Sequence, residues 1–205
     1  MKRLWIIMLF GVVAMGSVAQ NRSYLSLKNL LADDGDTLGS LRIEKRAKNQ
    51  LMMTAGGDYK IVSSNESLNK RIKSRYYAMK CDGKLFINCR KIRFKHFRFG
   101  TCYAGAMWVG TKIYFCAVPV GPAAVSITSS KNNMGDIGQA IASSSLVSER
   151  VFYEIDSTTG KIDFVGKDKM CLLLKEYPDL LNAYLSEKSE DAEVTGKYLQ
   201  MLQQK

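Results

Sequence analysis

Histidine is almost missing from this chain. His96 stands alone among 205 residues. That excludes any metal centre built on two or more imidazoles and leaves room for a single Cys–His pair. No two cysteines fall in a C-x-x-C spacing, which removes the thiol-redox and zinc-ribbon motifs. The G-x-S-x-G elbow, the H-E-x-x-H helix and the glycine-rich phosphate loop are absent. Asp33, Asp34 and Asp36 in DDGDT supply carboxylates without the spacing of a calcium loop and read as a turn. Proline occurs only three times, and no Gly/Ser- or Pro-rich linker divides the chain. This inventory points to no metal and no cofactor.

What is present begins with an export signal. Lys2 and Arg3 precede an apolar run over residues 4–15, and Ser17-Val18-Ala19 offers small residues at the positions a signal peptidase inspects. Residues 1–19 read as a signal peptide, too short and wrongly flanked for a membrane span. Residues 20–205 then form one expected domain, large enough to bury roughly 70% of its unfolded-chain surface. The mature chain is expected outside the cytoplasm: periplasmic, on the cell surface or secreted. Export permits disulfides, yet five cysteines (81, 89, 102, 116 and 171) leave at least one thiol unpaired. Residues 113–130 carry no charge over 18 positions, but Pro119 and Pro122 would each cost a helix about 3 kcal/mol. Two strands joined by PVGP fit that stretch better than a transmembrane span.

Patterning predicts an α+β fold: an antiparallel sheet built from hairpins, short helices near the N-terminus and a helical C-terminal region. Residues 24–32 read as a short helix. Strand-like patches follow at 41–45, 50–54 and 58–63, and Asn65 is placed to cap a helix through residue 75. Asp82-Gly83 between alternating runs is a strong hairpin signal that pairs Cys81 with Lys84, Ala78 with Ile87 and Tyr76 with Cys89. Cys81 and Cys89 fall on opposite faces in that register, which disfavours a disulfide between them. Further hairpins are expected at TCYAGAMWVG-TKIYFCAVP and at FYEID-STTG-KIDFV, with a small-residue helix over 132–147. Helices are expected at 169–176, from Pro178, and over 189–204. In the last, Val194, Tyr198, Met201 and Leu202 form the inward stripe.

Charge is concentrated. Losing residues 1–19 removes two cations and no acid, so the formal charge falls from +11 to +9. Residues 70–98 alone hold eleven Lys/Arg against one acid, Asp82. Within them RKIRFKHFRF alternates cations with apolar residues. Read as one half-buried strand, it puts Lys91, Arg93 and Lys95 on one face and Ile92, Phe94 and His96 on the other. Past His96 the phase flips, marking a bulge or a strand end before Arg98. Lys91, Arg93, Lys95 and Arg98 are therefore the candidate anion-binding residues. The plain alternative is a solvated face, or one neutralised by acidic tail residues Glu187, Glu190, Asp191 and Glu193. The anionic partners that fit an exported protein are lipopolysaccharide, phospholipid headgroups or an acidic glycan. Nucleic acid fits poorly, because the glycines of an RNA-recognition core are missing and the register hides Phe94. The competing enzymatic reading is a cysteine-dependent hydrolase using His96.

The ordered segments GGDYKI, LNKRIKSRYYAMKCDGKLFINCRK, FGTCYAGAMWVGTKIYFCAVPVG and YEIDSTTGKI give the chain a resemblance. It resembles small exported proteins of unknown function from Bacteroides-type anaerobes. The likeness spans most of the mature chain and carries no assigned catalytic or binding residue. It implies an envelope or extracellular setting, reducing enough for unpaired thiols to persist.

Overall fold

The computed structural model describes residues 20–125 and 149–205. The expected signal peptide and the helix expected over 132–147 lie outside them. The chain opens with a strand, β1 (Asn21–Tyr24), and the short helix expected over 24–32 follows as α1 (Leu27–Leu31), capped by Ser26, whose hydroxyl accepts from Asn29 N–H. DDGDT is a turn, as expected. Asp33 adopts φ 48°, and its carboxylate takes Arg22 and the Tyr24 hydroxyl.

Next come β2 (Asp36–Leu38), β3 (Arg42–Lys45), α2 (Lys48–Thr54), β4 (Tyr59–Val62) and α3 (Glu66–Ser74). The stretch 50–54, which reads as strand, is helical. Short apolar runs do not distinguish the two states, and here only Leu51 turns inward while Met52 and Met53 face solvent. Asn65 caps α3 as expected, its side chain accepting from Leu68 N–H at 3.1 Å.

The Asp-Gly hairpin forms between β5 (Ala78–Cys81) and β6 (Lys84–Asn88), with Asp82 and Gly83 both at positive φ. Cys81 pairs with Lys84 and Ala78 with Ile87, in the expected register. The expected Tyr76–Cys89 pair does not form. The register holds as far as Asn88, whose backbone N–H donates to Tyr77 O, but Cys89 N–H donates to Cys102 O and Tyr76 turns to the face that holds Met79 and Cys81. The tiny strands β7 (Arg93–Phe94) and β8 (Phe97–Arg98) pair with each other. Then β9 (Tyr103–Val109) and β10 (Lys112–Ala117) make the next hairpin, and β11 (Val151–Asp156) with β12 (Ile162–Val165) make the last. The second strand expected after PVGP is not seen: residues 122–125 are helical, and the rest of that stretch lies outside the described residues.

The main sheet is antiparallel in the order β12-β11-β10-β9-β6-β5-β1-β2, and β4 joins it at β9 while pairing with β3. Three helices close the chain: α4 (Lys167–Leu174), α5 (Pro178–Leu185) with proline at its first turn, and α6 (Ala192–Gln203). This is the α+β architecture expected from the pattern. Among the described residues no helix is long and apolar enough to cross a membrane.

Period-two alternation splits the sheet into two apolar faces. Ile113, Phe115, Tyr153 and Ile155 join Ile92, Phe94 and Phe99 in one core. Tyr114 and Phe152, their strand neighbours, instead meet Met170, Leu174, Tyr184, Tyr198 and Leu199 of the C-terminal helices. Leu199 and Thr195 are buried on α6 beside the expected Tyr198, so its inward stripe is wider than the pattern suggested.

Candidate functional site

The basic stretch is not one strand. After β6 the chain turns at once, because the Asn88 side chain accepts from Arg90 N–H at 3.1 Å while Lys91 N–H returns to Asn88 O at 2.9 Å. Asparagine bonding to the backbone two residues on is a turn former, and this was the signal in the sequence that the alternation masked. A second reversal comes at Lys95-His96, the two-residue loop of the β7–β8 hairpin, with Lys95 at φ 55°. The single file of Lys91, Arg93 and Lys95 along an extended strand is thus replaced by a folded tip.

The alternation survives in part. Ile92 and Phe94 are buried, and Lys91, Arg93, Lys95 and Arg98 are exposed. Arg93 lies directly opposite Arg98, which puts both side chains on one face of the hairpin. Like charges in that position repel, at a cost of a few tenths to about 1 kcal/mol. The tip is anchored beneath by aromatic rings: Tyr153 meets Phe94 at 5.5 Å and Phe99 at 4.7 Å between centroids. Phe97 lies against Gly121, where an added Cβ would approach its ring to 2.3 Å.

The acidic tail does not cover these cations. It packs with α4–α6 on the opposite face of the sheet and spends its charge there. Glu190 pairs with Lys167 at 2.6 Å, Glu187 with Lys197 at 2.7 Å, and Asp191 caps α6 through Glu193 and Val194 N–H. Among the described residues, Lys91, Arg93, Lys95 and Arg98 have no ion-pair partner within 4.0 Å.

His96 was expected on the apolar face and is instead exposed in the loop, its ring 4.0 Å from that of Phe97. No cysteine hydrogen-bonds to it. All five cysteines are free thiols. Cys81 and Cys89 sit in different apolar clusters, as the hairpin register required. Burial pushes the Cys81 and Cys116 thiols up to about 12, and pushes fully buried Cys89 up as well. Thiols held protonated in this way are poor nucleophiles. Among the described residues no group of three or more His, Cys, Asp or Glu gathers as a metal site would require.

Two charged groups gave no sequence signal. Glu154, on β11, is buried and takes Lys112 at 2.7 Å, Lys169 at 3.1 Å and the Tyr114 hydroxyl at 2.7 Å. Burial alone would raise its pKa; those three hydrogen bonds outweigh it and leave the carboxylate below its ordinary value. Arg46, just after β3, is buried with only 6% of its surface exposed. Nothing local marks either residue, since burial there comes from strands distant in sequence.

A family model matches residues 22–205, nearly all of the described chain; its description is a family of unknown function, DUF6563. The chain belongs to that family. No curated protein and no solved structure matches this chain. DUF6563 membership thus agrees with the uncharacterised family that the sequence resembles, and assigns no residue a role.

Proposed function

We propose that this DUF6563 protein is an exported, non-enzymatic binding component of the cell envelope, and that the β7–β8 hairpin is its contact for an anionic partner. One observation carries the reading. Four exposed cations, Lys91, Arg93, Lys95 and Arg98, gather on two tight turns without an ion-pair partner within 4.0 Å among the described residues, Asp163 acting on Lys95 only from farther off, and Arg93 and Arg98 are held face to face. A partner displaying repeated phosphate, sulfate or carboxylate groups would relieve that repulsion. Such groups occur on lipopolysaccharide, anionic phospholipid headgroups and acidic glycans. The rigid aromatic base under the tip keeps the cations presented without a folding cost on binding.

Each cation near an anionic surface contributes about 1 kcal/mol. Changing Lys91, Arg93, Lys95 and Arg98 together to Ser is therefore expected to weaken binding by roughly three orders of magnitude. Salt-gradient elution from heparin, sedimentation with lipopolysaccharide, and flotation with phosphatidylglycerol vesicles separate the three sources. Unchanged behaviour of the variant on all three supports would remove the hairpin as the contact. Export is checked independently by fractionating cells and sequencing the mature N-terminus, expected at Gln20.

A further inference from the structure

A cavity of about 370 Å³ is bounded by the end of β3, α2, β4, α3, the turn after β6 and the start of β9. Its volume falls in the range typical of small-ligand sites. Four cations reach it from four separate segments: Arg46, Lys60, Lys73 and Arg90; among the described residues no carboxylate shares the lining. Much of the remaining wall is apolar, including Val62 and Ile72, and exposed Met53 forms part of the mouth.

Arg46 sets the chemistry. Its guanidinium donates to Ala55 O at 2.6 Å, Gly57 O at 2.8 Å, Gln50 O at 2.7 Å and the Thr54 hydroxyl, all neutral oxygens. Its Nε–H has no acceptor. These bonds fasten the C-terminal end of α2, where a cation is favoured, but among the described residues they leave a buried positive charge without a carboxylate within 4.0 Å. Buried charges are ordinarily paired. Lys60, Lys73 and Arg90 add to it, and none has an ion-pair partner within 4.0 Å among the described residues. A neutral apolar ligand would leave this charge unanswered, and a small hydrophilic anion would leave the apolar wall wet.

We propose that this cavity binds an amphiphilic anion, an alkyl chain bearing a carboxylate or phosphate head, with the head among Lys60, Lys73 and Arg90 over the Arg46 charge and the chain along Val62, Ile72 and Met53. The site shares no residue with the hairpin contact, although its Arg90 adjoins Lys91 in the turn after β6, and it stands without that contact. Cys102 lines the same cavity and is partly exposed, which supplies a local reporter; Cys171, on α4, is the internal control.

The test titrates the full protein with decanoate, decyl phosphate, neutral decyl maltoside and inorganic phosphate. Binding is followed by calorimetry and by peptide-resolved maleimide labelling. Decanoate or decyl phosphate is expected to release or absorb heat at submillimolar concentration and to slow Cys102 labelling at least tenfold while Cys171 is unaffected. Whichever of the two does so identifies the head group. The K60Q/K73Q/R90Q variant should bind at least tenfold more weakly. The hairpin variant K91S/R93S/K95S/R98S should bind as the unmodified protein does. Protection by decyl maltoside equal to that by the anions, saturation by inorganic phosphate alone, or no heat and no protection from either anion at 1 mM would each overturn the proposal. Loss of binding in the hairpin variant alone would overturn its independence of the hairpin.

Discussion

Gly57 shows how little room one position can leave. A Cβ there would stand 2.0 Å from the Tyr103 carbonyl carbon, because the Gly56-Gly57 backbone crosses directly over the start of β9. Gly57→Ala must push main chain apart rather than rotate a side chain, and should cost about 3 kcal/mol. At about 2–4 °C per kcal/mol for a chain of this size, that is a fall in Tm near 10 °C by calorimetry. Glu154 makes a second residue-scale case. Its folded pKa lies below its ordinary 4.5, so its contribution to stability is present above that value and is lost as pH falls through the lower, folded pKa. Glu154→Gln should lose about 2 kcal/mol at pH 7 by leaving Lys112 without its carboxylate and Lys169 with Asp163 alone. The gap between variant and unmodified protein should narrow in acid, since both side chains are then neutral. A gap in urea midpoint that is constant from pH 7 to pH 3 would contradict this. Glu154 could not be singled out from FYEID, where it reads as an ordinary outward strand position. What buries it is the later packing of α4 and its Lys169.

At the scale of the element, the β7–β8 hairpin shows where a periodic pattern misleads. Ile92 and Phe94 point inward and Lys91, Arg93 and Lys95 outward, as period two required, yet the chain reverses twice within the same ten residues. Alternation reports which side chains seek the core; it does not report that the backbone between them is straight. Asn88 and the positive φ at Lys95 decide that. The Arg93–Arg98 confrontation follows from the turn, and it is testable. Arg98→Glu converts repulsion into a cross-strand ion pair and should raise Tm by about 2 °C while weakening retention on heparin. An unchanged or lower Tm would show that the two side chains do not share a face. Helix α2 makes the complementary point. QLMMT is too short a run to fix its state by pattern, and Arg46 bonds to Gln50 O, the Thr54 hydroxyl and Ala55 O along its helical form.

Across the whole molecule, the sheet works as a partition. The cationic hairpin rests on the face that carries Phe115 and Tyr153, and the acid-rich C-terminal helices rest on the face that carries Tyr114 and Phe152. Exposed charges farther apart than about 8 Å are largely screened at physiological salt. Neutralising Glu190 and Glu193 to Gln should therefore leave the salt concentration of heparin elution nearly unchanged, whereas the hairpin variant loses retention. A large shift from the tail substitutions would mean that the tail reaches the basic surface after all.

Local chemistry was sufficient for much of this protein. Asp82-Gly83 and the STTG loop specify their hairpins, Asn65 and Pro178 open their helices, and alternation separates inward from outward residues in the strands. These signals act between residues near in the chain, so they can be read without knowing the fold. Which face of the sheet receives the helices, and whether acids meet the basic segment, depended on pairings between distant strands. So did the burial of Glu154 and Arg46. A charge is left unpaired or is satisfied only by what the tertiary structure brings to it, and that separates the cavity beside Arg46 from an ordinary basic stretch.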